Sequence, residues 1–99
     1  MAWSGGQYTL TATAATLTSA LGLSAKLFVK NIDVTAKSTN AGNIYLGGSN
    51  VTNVPANARA EVTTTKSWSV GPYDGNFVST DDVYIVGTAS DVAFIALVI

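Results

Sequence analysis

Apolar and polar residues alternate in short runs along this chain, and clusters of Gly, Asn, Asp and Pro separate the runs. Strand side chains point to opposite faces in turn, so alternation predicts a strand with one face buried. Tyr8, Leu10, Ala12 and Ala14 alternate with Thr9, Thr11 and Thr13, which predicts a strand over 8–14 with its hydroxyl face outward. Val62, Thr64, Lys66, Trp68 and Val70 alternate with Thr63, Thr65, Ser67 and Ser69, and predict the cleanest such strand, over 62–70. Residues 15–23 read either as a loop or as a single helical turn. Leu17, Ala20 and Leu21 have helical spacing, whereas Thr16, Thr18, Ser19 and Gly22 oppose a helix.

Two strands break the simple pattern. From Lys26 to Lys37, Leu27 and Val29 fall on one parity and Ile32, Val34 and Ala36 on the other. Keeping all five in one core requires a β-bulge or a sharp bend near Lys30-Asn31; the alternative is a strand buried on both faces. The last strand, Val92 to Ile99, is apolar on both parities. A two-layer sandwich has a core on only one side of each sheet, so the second face must meet another layer, a barrel interior or another chain. Burial against another chain is the preferred expectation, because an uncovered apolar strand invites aggregation.

Turn signals are frequent between these runs: Asn40-Ala41-Gly42-Asn43 before Ile44-Tyr45-Leu46, then Gly47-Gly48-Ser49-Asn50, and later Pro72 and Asp74-Gly75. Val51 to Ala60, with Pro55, reads as a connecting loop, and Val83 to Thr88 as another strand. The pattern predicts an all-β chain, a compact antiparallel β-sandwich (jelly-roll-like) of six to eight short strands. It would comprise one domain over 8–99 behind an extended, Gly-containing arm over 1–7.

Composition narrows the function. The chain has 99 residues, five Lys+Arg against six Asp+Glu, and 11% charged residues, where about 25% is usual. Thirteen Thr, nine Ser and seven Asn supply the polar surface instead, giving a neutral exterior that is easily buried against a partner. A dense basic face for nucleic acid or for a membrane surface is excluded. The longest apolar run, Val92 to Ile99, is far short of the ~20 residues of a membrane helix, and with Lys26 as the first Lys no signal peptide is expected. With no Cys and no His, thiolate nucleophiles, Cys/His zinc sites and His-based acid–base chemistry are absent.

The remaining candidates for chemistry have simpler roles. Asp81 and Asp82 are adjacent, so on a strand they point to opposite faces and cannot act as a carboxylate pair. Asp74-Gly75-Asn76 lacks the other ligands of a calcium loop and reads as a turn. Gly47-Gly48-Ser49 has no following helix and no suitably placed Lys, so it is not a phosphate cradle. Asn50-Val51-Thr52 matches a glycosylation sequon by accident. Lys66 is expected to snorkel to a sheet edge. Tyr45, Tyr73 and Tyr84 could form a sugar-stacking platform, although packing explains them as simply. Trp3, in a Gly-flanked arm, has no local core and suits an anchor on a neighbouring subunit. No catalytic, cofactor-binding or metal-binding residue is expected. The expected partner-interface residues are Trp3, Tyr8, Phe94, Ile95, Leu97 and Ile99.

The run Lys30-Asn31-Ile32-Asp33-Val34-Thr35-Ala36-Lys37, with Asn40 and then Gly42 to Val51, resembles small β-sandwich proteins of tailed bacteriophage virions. Asp81 to Thr88, followed by Asp91 to Ile95, is similar to the closing hairpin of the same proteins; Asn57-Ala58-Arg59-Ala60 departs from the Pro/Gly turn expected before the next strand. The resemblance implies a non-enzymatic virion protein, foremost a capsid cement or decoration protein on the capsid surface that binds the major capsid protein. The doubly apolar last strand leads to the expectation of a homo-oligomer, for which a trimer would fit the three-fold positions of capsid lattices. A tail or fibre component, or a small carbohydrate-binding module, are the alternatives.

Overall fold

The computed structural model describes residues 3–70 and 77–99, whose regular elements, apart from a 3-10 turn at Pro55–Asn57, are ten short strands and one turn of α-helix. In chain order they are β1 (Trp3–Thr9), β2 (Ala15–Thr16), α1 (Leu17–Ala20), β3 (Phe28–Val29), β4 (Asn31–Ala36), β5 (Ile44–Gly47), β6 (Ala60–Val62), β7 (Ser67–Val70), β8 (Val78–Ser79), β9 (Tyr84–Val86) and β10 (Val92–Val98). The pairing is nested. β1 pairs β10, β2 pairs β9, β3 pairs β8, β4 pairs β7 and β5 pairs β6, all antiparallel. The chain is thus one long antiparallel ribbon, doubled back between β5 and β6. Rolling that ribbon sets β10 beside β4 and β9 beside β5. Two four-stranded sheets result, sheet I in the order β1-β10-β4-β7 and sheet II in the order β2-β9-β5-β6. With the small β3–β8 ribbon set aside, this is the eight-stranded jelly-roll order. The all-β sandwich class stands, and the two extra strands are that ribbon.

The core lies between the inner faces. Ala93, Ile95 and Leu97 of β10 lie in register with Ala36, Val34 and Ile32 of β4. They join one buried cluster with Ile44, Leu46, Val62 and Ile85, completed by Leu10, Leu17 and Val29. Each large side chain removed from water in this way contributes about 1.5–3 kcal/mol before conformational entropy is counted.

The parity change in the Lys26–Lys37 run is a bend at Lys30. Before it, Phe28–Val29 pairs with β8; after it, β4 pairs with β10 and β7. The Lys30 amide donates to the Val98 carbonyl at 2.7 Å, so the bend keeps its backbone bond. The expected strand over 62–70 is instead two strands in different sheets. The chain turns at Thr63–Lys66, where the Lys66 amide bonds the Thr63 carbonyl and Thr65 has φ 67°. Thr64 and Val70 keep the parity of Val62 across the turn, which is why the alternation hides it. Lys66 is exposed. The first strand also lies earlier than the expected 8–14. β1 covers Trp3–Thr9, so most of the segment read as an arm is a strand paired along its length with β10. Leu10 then turns into the core, its amide bonded to the Asp91 carbonyl at 2.7 Å.

Two polar clusters hold the loops. Asp91 is only 8% exposed, and its two carboxylate oxygens accept the amides of Ala41 and Gly42, each at 2.9 Å. Next to it, the Asn40 side chain donates to the Val92 carbonyl and accepts the Val92 amide, both at 2.8 Å, as a strand backbone would. At another join, the fully buried Thr80 hydroxyl accepts the Leu27 amide at 2.9 Å and lies 2.7 Å from the Thr18 hydroxyl. Thr18 donates to Asp81, which leaves Thr80 as the donor to Thr18. Thr16 caps α1 by accepting the Ser19 amide.

Candidate functional site

The registers place whole rows of residues on the outer face of sheet I. Gln7, Phe94, Thr35 and Ser67 form one row; Gly5, Ala96, Asp33 and Ser69 form the next. Along β10 the outward positions are Val92, Phe94, Ala96 and Val98, an apolar stripe down the middle of the sheet. Phe94 is its exposed member, at 42%. Hydroxyls and amides flank the stripe. Ser69 donates to the Asn31 side-chain oxygen and Asn31 donates to Asp33, each at 3.2 Å. Asp33, tied into that row, is the one charged residue at these outward register positions. This face offers apolar contact at its centre and hydrogen-bonding groups at its sides, which is the layout of a protein–protein contact.

The outer face of sheet II is different. Tyr45 of β5 lies opposite Val86 of β9, and Tyr84 lies opposite Gly47, so the two tyrosines share that face. Both are half-buried and Val86 is buried. The loop after β5 roofs one end: a Cβ on Gly47 would stand 3.2 Å from the Val51 Cβ and 3.3 Å from the Asn57 carbonyl oxygen. Part of sheet II is therefore covered by the chain itself, whereas the stripe on sheet I carries an exposed Phe.

The expected interface residues separate by parity. Phe94 and Ile99, the latter 46% exposed, are accessible. Ile95 (3%) and Leu97 (0%) are core residues facing sheet II, and this corrects their assignment to a partner contact. Tyr8 is half-buried and packs on the core cluster. Trp3 lies in β1 opposite Val98, and its side chain falls outside the described part of the structure. Tyr73 and the Asp74-Gly75 turn lie outside the described residues as well. A cavity of about 420 Å³ sits beside β7, walled by Trp68, Val70, Phe77 and Val83, with Arg59 and Asp82 among its lining residues. Sequence reading gave Arg59 no role, since it stands in an unpatterned loop; only its amide, bonded to the Leu46 carbonyl, ties it to β5.

Among the described residues no three of His, Cys, Asp and Glu cluster to hold a metal, and no helix is long and apolar enough to cross a membrane. Comparison of the chain with protein-family models, with curated proteins and with solved structures gives no match.

Proposed function

We propose that this chain is a non-enzymatic structural protein of a virion, a capsid cement or decoration protein of a tailed bacteriophage that binds across neighbouring major capsid protein subunits. The observation that carries this reading is the outer face of sheet I, where an apolar stripe with Phe94 at its exposed point crosses a surface of hydroxyls and amides. Phe94 is the anchor, Val92 and Ala96 widen the apolar contact, and Gln7, Thr35 and Ser67 supply the polar rim. The phage resemblance of the Lys30–Val51 and Asp81–Ile95 runs supports the major capsid protein as the partner. The jelly-roll fold, recurrent in viral capsids and lectins, agrees with it but does not by itself assign a function.

The mechanism is mass action. A protein that binds only the assembled lattice stabilises it, by about 2.7 kcal/mol per site at a free concentration of about 100 Kd. Many equivalent sites on one shell add up without any single contact being strong. The test is co-sedimentation with assembled capsids and, in parallel, with unassembled capsid protein. Saturable binding to the shell that Phe94→Asp abolishes is expected. Binding that Phe94→Asp leaves intact, or binding to purified tails or fibres instead, would overturn the cement reading.

A second reading has its own observation. Tyr45 and Tyr84 share the outer face of sheet II, and paired aromatic rings stack on sugars. Millimolar mono- and oligosaccharides that change tyrosine fluorescence, and fail to do so in Tyr84→Ala, would favour a carbohydrate-binding module.

A further inference from the structure

Among the described residues, the edge of sheet I at β1 carries no further strand. β1 is seven residues long and pairs with β10 in unbroken register from Trp3↔Val98 to Thr9↔Val92. Among the described residues it is the terminal strand of its sheet and no strand pairs its other side, where its outward amides and carbonyls lie. The edge strands β2, β6 and β7 are two, three and four residues long, too short to invite extension. Long natural edges are usually blocked by Lys, Pro or a bulge. β1 has none of these, and the first charged residue of the chain is Lys26.

We infer that β1 pairs antiparallel with β1 of a second copy about a two-fold axis at Gly6, joining two sheets I into one eight-stranded sheet. A row of bare backbone groups is complemented by another strand and by little else. An antiparallel edge is complementary to itself, so the contact is isologous and closes at two copies. Self-pairing sets each residue near its own symmetry mate, where a charged edge would repel itself; this edge is uncharged. In that register Trp3 faces Thr9 of the second copy, Ser4 faces Tyr8, Gly5 faces Gln7, and the two Gly6 residues meet on the axis. The dimer also aligns two Phe94 stripes on one continuous outer face. The inference stands apart from the virion reading, since a dimer with no affinity for capsids would leave it intact.

The test uses the absence of native Cys. A Cβ on Gly6 meets nothing within 4 Å and the residue is exposed, so Gly6→Cys and Gly6→Lys preserve the fold, which circular dichroism checks. On the axis, the Cα atoms of the two Gly6→Cys positions would stand within disulfide range. Under mild oxidation at micromolar concentration, Gly6→Cys is expected to form a linked dimer about a hundredfold faster than Asn50→Cys, which reports random collision at an exposed turn. Light scattering is expected to give two chains for the unaltered protein and one for Gly6→Lys. Equal disulfide rates, a monomeric unaltered protein, or an oligomer that Gly6→Lys leaves intact would each overturn the inference.

Discussion

Replacing Asp91 with Ala tests whether the rolled ribbon depends on the loop latch between the segment before β5 and the start of β10. The carboxylate accepts two backbone amides, Ala41 and Gly42, at 2.9 Å each. Hydrogen bonds to a charged group contribute about 1.5–3 kcal/mol apiece, so the gross loss is about 3–6 kcal/mol. Two effects reduce it. The nearly buried carboxylate gives up hydration in the folded state, and both freed amides belong to a turn that water can reach. A net loss of about 2–3 kcal/mol follows, a large share of the roughly 5–15 kcal/mol that keeps a small domain folded. At about 4–8 °C per kcal/mol, the midpoint of thermal unfolding falls by about 10–20 °C. Asp91→Asn should lie in between, because its amide nitrogen confronts one of the two N–H donors. Asn40→Ala removes the neighbouring pair of bonds to Val92, and the double variant should lose less than the sum, since both side chains fasten the same two loops. Calorimetry and urea melts read all four. A fall below about 4 °C for Asp91→Ala, equivalent to about 1 kcal/mol or less, would refute the reasoning.

The parity of β10 gives a paired prediction. Leu97→Ala should cost about 3 kcal/mol because it opens a cavity between the sheets, whereas Phe94→Asp, on the outer face, should cost about 1 kcal/mol or less and leave a cooperative urea transition. At Gly87 an added Cβ would lie 2.8 Å from Leu10 Cδ1 and 3.3 Å from the Asn43 carbonyl oxygen; Gly87→Ala should therefore lose about 1–3 kcal/mol in the same melts, through forced repacking.

Much of this architecture is legible in the residues. Alternation and turn chemistry give an antiparallel all-β sandwich, and the parity change at Lys30 gives the bend where the chain changes partners. Three features are hidden, each for a physical reason. The turn at Thr63–Lys66 preserves the alternation, because strand parity carries no information about which sheet a residue joins. β1 bears the pattern-free run Ser4-Gly5-Gly6-Gln7, and an edge strand is held by backbone bonds that need no apolar signature. β10 is apolar on both parities, so its inner face is decided by register with β4: Ile95 opposite Val34 and Leu97 opposite Ile32. That register turns two expected interface residues into core and leaves Phe94 as the exposed one. The Asn40 and Asp91 latch reads in sequence as ordinary turn residues, since the bonds it makes span about half the chain.

Co-sedimentation of the purified protein with assembled capsids, run side by side with Phe94→Asp and Tyr84→Ala, tests the central claim most directly. The account predicts saturable binding to the assembled shell, none to free capsid protein, loss with Phe94→Asp and no change with Tyr84→Ala. Absence of binding to the shell, or binding that survives Phe94→Asp, would contradict it.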